Sequence, residues 1–218
     1  MLAFMPIHHR YVQEIFDELK TSLSSGVKDC GAFLKKLEND SDWSFLIKVQ
    51  ALIETSITEA LVSHLGEPRV RRLIERLPLA DEEIGKLSLA KDLGLLDSPQ
   101  RRFIRRLASL RNNLAHRVDH VDFAFDVYLS VLDKQQLASW QRAMCWFSPS
   151  DKNSLIHWHK FATNQPRVAV WFATYMLIAL LHVSVAESQV SRKTKEAALK
   201  TAEELYAHLA PATTTNEG

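Results

Sequence analysis

Residues 99–116, PQRRFIRRLASLRNNLAH, decide the fold. Phe103, Leu107, Leu110 and Leu114 recur at spacings of three and four, which places them on one face of a helix. Arg101, Arg102, Arg105 and Arg106 fall between them as a basic surface. Asp97-Ser98-Pro99 introduces the segment with a capping residue and a first-turn proline. An amphipathic helix of this kind needs apolar partners, and the rest of the chain supplies them as further helices.

Upstream, Asp40-Ser41-Asp42 is an N-cap cluster before a long helix, Trp43 to about Leu65. Its apolar stripe is Leu46, Val49, Ile53, Ile57 and Leu61, and Gly66 supplies the stop. Residues 9–23 carry Val12, Ile15, Phe16 and Leu19 at helical spacing, Ser24-Ser25-Gly26 breaks them, and a short helix follows through Leu37. Pro68 opens a basic helix over RVRRLIERL, and Leu79-Ala80-Asp81-Glu82-Glu83 predicts the start of another that runs to about Ala90.

Downstream, Val121–Leu132 and Asp133–Met144 read as helices, and Ser148–Asn153 is a turn with a cap before a short helix. Gln165-Pro166 precedes an apolar stretch that passes into a polar helix up to about Leu209. Only 6 Gly and 7 Pro in 218 residues leave few turn formers for a sandwich or barrel. The expected fold is an all-α helical bundle. Residues 1–40 form an N-terminal helical extension, 41–209 the main helical domain, and 210–218 a disordered tail.

The net charge of +1 conceals a gradient. Residues 1–66 hold 6 basic and 9 acidic groups, residues 67–120 hold 12 and 8, and residues 121–218 hold 9 of each. The basic middle third hints at an anionic partner. Cys30 and Cys145 make no disulfide framework or zinc spacing and read as reduced thiols of a cytoplasmic protein. Met1–Arg10 lacks the layout of a signal peptide. Val168–Ala186 reaches the lower edge of membrane-spanning length, but Thr174, His182 and Ser184 interrupt it, so a buried helix is the better reading.

The end of the decisive helix carries the chemistry: Arg111-Asn112-Asn113-Leu114-Ala115-His116. An Arg followed five residues later by a His is weak by itself. Here it closes an amphipathic helix, after basic turns and a long apolar helix. In this it resembles the HEPN superfamily, helical domains that include many RNases of toxin–antitoxin and antiviral systems. Their signature is Arg-x(4–6)-His with a polar residue just after the Arg, and Arg111, Asn112 and His116 match it. The resemblance covers Trp43 to about His120. Leu52-Ile53-Glu54 followed by this motif also looks like the mannitol-operon-repressor branch, which implies a non-catalytic regulatory or protein-interaction dimer.

The resemblance implies a metal-independent endoribonuclease that leaves a 2′,3′-cyclic phosphate and a 5′-hydroxyl, held in check by a protein antidote or regulator. RNA supplies its own nucleophile, the 2′-hydroxyl, so scission needs proton transfer and charge stabilisation. An imidazole such as that of His116 suits the first when unperturbed, and Arg111 can fork onto a phosphate for the second. Asn112, four residues before His116, shares its face and can hold one imidazole tautomer or a phosphate oxygen. Arg101, Arg102, Arg105 and Arg106 are candidate substrate-binding residues, with a solvated face as the competing reading.

Five residues turn a regular helix by about 500°, so Arg111 and His116 lie about 140° apart. Either the helix distorts near Ala115 or two copies meet, and the resemblance implies a homodimer with a composite cleft. A competing reading makes Arg111 a structural arginine paired with Glu54. His116 and His120 with Asp119 and Asp122 have no third fixed ligand, and His157 and His159 diverge on a helix, so neither metal nor cofactor is expected. Trp140, Trp146 and Trp158 read as core residues rather than base-stacking platforms.

Overall fold

The computed structural model describes residues 29–115, 122–148 and 151–209, and these are helices and turns without a strand. The expected all-α class is what the protein adopts. The helices are α1 over residues 29–36, α2 (Asp42–Leu65), α3 (Arg71–Arg76), α4 (Lys86–Asp92), α5 (Ser98–Ala115), α6 (Phe125–Ser130), α7 (Lys134–Met144), α8 (Lys152–Asn164) and α9 (Pro166–Leu209). A 3-10 turn, Pro68–Val70, leads into α3.

Local chemistry fixes the ends of α2. Ser41 accepts a hydrogen bond from Ser44 N–H at 3.2 Å. At the other end Gly66 takes φ 70° and returns its N–H to the Val62 carbonyl. The predicted stripe of Leu46, Val49, Ile53, Ile57 and Leu61 is fully buried. Asp133 and Asp151 cap α7 and α8 in the same manner, each accepting from the N–H three residues on.

Helices α2 and α9 lie side by side and run in the same direction. At one end Arg167 donates to the Asp42 carboxylate, and at the other Arg192 donates to the Ser63 carbonyl. Ala169, Val170, Ala173, Leu177, Ile178 and Leu181 of α9 are buried. Helix α9 is long and apolar enough to cross a membrane by composition. One face of its apolar part enters the core, while Val168, Leu180 and Val183 remain exposed. At about 1.5 Å per residue it measures about 66 Å and overruns the end of α2.

Arg167 joins three parts of the chain. Its guanidinium donates to the carbonyls of Leu37, Glu38 and Asp40 and to Asp42 Oδ1, and it lies 4.7 Å from the centre of the Phe45 ring. Asp42 Oδ2 accepts the Phe125 N–H that opens α6. Residues 29–40 are therefore continuous with the main core, to which Cys30, Leu34 and Leu37 contribute.

Helix α4 begins at Lys86, later than the sequence predicts. Asp81 Oδ1 accepts the N–H groups of both Glu83 and Ile84, which holds residues 81–84 in a turn. Lys86 N–H and Leu87 N–H then close the loop onto the carbonyls of Pro78 and Leu79. Within Val121–Leu132 the helical part is shorter than predicted, Phe125–Ser130. The predictions for residues 9–23 and for the tail 210–218 lie outside the described residues.

The tryptophans pack as expected. Trp140 is wholly buried and donates Nε1–H to the Ala162 carbonyl, tying α7 to α8. Trp158 stacks on Phe172, and Trp146 meets Phe147 edge-on.

Candidate functional site

Helix α5 packs against α2 and α7, and its Phe103, Ile104, Leu107 and Ala108 are buried. Arg111 follows Ile104 by seven residues, two turns less about 20°, so it leaves the helix on that same flank. Near the end of α5, beside the first half of α2, the flank opens into a cleft of about 500 Å³. The cleft has three sides: Ile47, Gln50, Ala51 and Glu54 from α2, the loop Pro78–Asp81, and Ala108, Arg111 and Asn112 from α5.

Arg111 is exposed, and its described partner is a neighbour on its own helix: Nη1 donates to Asn112 Oδ1 at 3.2 Å. The pairing of Arg111 with Glu54 considered from sequence is absent among the described residues. Glu54 Oε1 instead accepts from Lys86 Nζ at 2.6 Å. Lys86 has a side chain only 3% exposed, so its ammonium has little water and must take the nearest carboxylate. The loop ahead of α4 delivers that ammonium to Glu54, leaving the Arg111 guanidinium at the cleft with no ion pair among the described residues.

His116 lies outside the described residues, as do Asp119 and His120. The structure therefore brings together Arg111 and Asn112 of the predicted site and follows α5 as far as Ala115. The four arginines offered as a substrate surface divide into two kinds. Arg101 Nη1 donates to the Leu96 carbonyl, and Arg106 Nη2 donates to the Tyr128 hydroxyl while its guanidinium sits 6.0 Å from that ring. Both are half-buried and serve the fold. Arg102 and Arg105 are exposed and remain available to an anion.

Sequence reading did not single out Gln50, Asp81 or Lys86. Gln50 is 9% exposed, lines the cleft, and its Oε1 has no hydrogen-bond partner. An unsatisfied buried acceptor costs about 1–3 kcal/mol, which a leucine in its place would not. A signal was present: residues 47, 50, 51 and 54 form a second helical stripe beside the apolar one, with polar groups at two of its positions. Asp81 is held below the usual carboxylate range by the N–H groups of Ile84 and Glu83, so it enters the cleft ionised.

Other reactive side chains have structural surroundings. Burial pushes the thiols of Cys30 and Cys145 up to about 11, far from reactive thiolates. Among the described residues no three His, Cys, Asp or Glu groups converge as a metal site. No family model, no curated protein and no solved structure matches this chain.

Proposed function

We propose that the chain is a metal-independent endoribonuclease of the HEPN type, acting as a toxin or defence factor, with Arg111, Asn112 and His116 at its centre. The supporting observation is the state of Arg111: exposed at a cleft, with the nearby Glu54 already paired to Lys86. A structural arginine is normally used up by protein acceptors. This guanidinium has one neighbouring amide and retains donors for a phosphate.

In the proposed reaction the 2′-oxygen of RNA loses its proton and bonds to phosphorus as the bond to the 5′-oxygen breaks. The departing 5′-oxygen takes up a proton. His116 serves these proton transfers, and Arg111 stabilises the charge that accumulates on the non-bridging oxygens. Asn112 orients the imidazole or holds a phosphate oxygen. The products are a 2′,3′-cyclic phosphate and a 5′-hydroxyl. The angular separation of Arg111 and His116 on a regular helix favours a homodimer in which one copy completes the other's cleft.

Purified protein should cut RNA in the presence of EDTA. His116→Ala and Arg111→Ala should each lower the rate about 10²- to 10⁴-fold with unchanged melting temperature. Intact RNA after incubation with well-folded wild-type protein would refute the proposal and leave the regulatory dimer as the better reading.

A further inference from the structure

We infer that the cleft between α2, the Pro78–Asp81 loop and α5 is a base pocket that takes an unpaired guanine, with the attached phosphate at its Arg111–Asn112 rim. The inference rests on the ribonuclease reading and adds the base that it would select.

The polar groups of the cleft are segregated. Donors stand at the α5 edge, where Arg111 and Asn112 are exposed. Acceptors stand on the α2 and loop sides, from Glu54 and Asp81. Lys86 occupies Glu54 Oε1, and the turn N–H groups occupy Asp81 Oδ1. The second oxygen of each carboxylate has no partner among the described residues. A phosphate alone would be repelled by these acceptors, so an anion belongs at the rim and a hydrogen-bond donor inside.

That donor need not be a cation. Lys86 neutralises Glu54, and the formal charges of Lys86, Glu54, Asp81 and Arg111 sum to zero, so the cleft has no net charge to attract an ammonium or guanidinium. Ile47, Ala51, Leu79 and Ala108 give apolar walls suited to a flat ring, and about 500 Å³ lies within the range of small-ligand sites. Among the RNA bases only guanine presents two adjacent N–H donors, N1–H and the 2-amino group, to a carboxylate or amide oxygen. Adenine and cytosine place an acceptor beside their single amine, and uracil flanks its one N–H with two carbonyls. Unpaired bases are read on these edges when they leave the stack.

Calorimetric titration of the full chain with 5′-GMP, AMP, CMP, UMP and inorganic phosphate tests the inference. GMP should bind at least tenfold more tightly than the other four. Asp81→Asn keeps an oxygen for the turn but turns an amide N–H toward the base, and should remove most of that preference. Arg111→Ala should weaken all four nucleotides by a similar factor. Equal affinity for the four, no binding of any, or GMP no tighter than phosphate would overturn the base pocket, as would an unchanged preference in Asp81→Asn. The readout needs no cleavage. Protein that selects GMP but leaves RNA intact would sink the nuclease reading alone, and protein that cuts RNA without selecting GMP would sink the base pocket alone.

Discussion

Two arginines of this chain, Arg167 and Arg111, occupy opposite kinds of surroundings. Arg167, in the first turn of α9, meets three main-chain carbonyls, a carboxylate and the face of an aromatic ring. Arg111, in the last turn of α5 before Ala115, has a single amide oxygen beside it and open space in front. The first holds α1, α2 and α9 in one arrangement. The second contributes little to the fold and keeps its hydrogen-bonding capacity. The contrast teaches that an arginine's role is legible from how many of its donors the protein itself consumes.

The largest effect expected of this contrast is on stability at Arg167. Arg167→Ala strands several acceptors and leaves Asp42 without its cation, and should cost about 3 kcal/mol, or about 6–12 °C in melting temperature. A loss under 1 kcal/mol by chemical denaturation would break the contrast at its stronger end. Lys86→Ala should cost about 2 kcal/mol, less than a fully buried pair because Glu54 is 39% exposed. Gly66→Ala should cost about 1 kcal/mol, since its positive φ is strained for any other residue and the new Cβ would lie 3.2 Å from Arg192 Cδ.

Arg111→Ala should change stability by less than about 0.5 kcal/mol in the wild-type background. In the Lys86→Ala background, Glu54 is released and can turn to Arg111, so the same substitution should become measurably destabilising. A double-mutant cycle on the two sites checks this coupling, and strict additivity would contradict the placement of Glu54 between two competing cations.

The smallest effect concerns pH. Burial holds the His182 imidazole below its ordinary value of 6.5, with Asp29 opposing that shift, and His182, Asp29 and Glu59 line one groove among α1, α2 and α9. Well above 6.5 the ring is neutral in both the folded and the unfolded chain and contributes no pH dependence. As pH falls below 6.5 the unfolded chain takes up a proton that the folded chain resists, so stability declines toward the folded value. Melting curves between pH 7 and 5 should slope downward on this account, and His182→Asn should flatten part of that slope.

Much of the fold was legible because its helix boundaries are local chemistry. Ser41, Gly66, Asp133 and Asp151 each act on residues within four positions, a range over which sequence spacing is geometry. The apolar stripes of α2 and α5 were legible for the same reason. The start of α4 was not, because Asp81 offers a plausible first turn and its side chain instead captured two N–H groups. The Arg167 joint was illegible for another reason: most of its acceptors are carbonyls 127 to 130 residues away, and a carbonyl has no residue type.

The site divides along the same line. Arg111 and Asn112 stood out as a motif, yet the partner of Glu54 could not be chosen from charge alone. Lys86 and Arg111 are equally suitable by charge, and the path of the 78–86 loop decides between them. Gln50 was hidden because a glutamine beside an apolar stripe looks like an ordinary solvated residue until its oxygen is found buried and unpartnered.

The parallel pairing of α2 with α9 has a consequence for how the chain is made. Asp42 and Arg167 are 125 residues apart, and α9 is the helix against which α2 packs most extensively. At about 5–20 residues per second, a ribosome takes about 6–25 s to deliver the second helix after the first. Throughout that interval the nascent protein carries an uncovered strip of Leu, Ile and Val, open to chaperones or to the same strip on a neighbouring polysome.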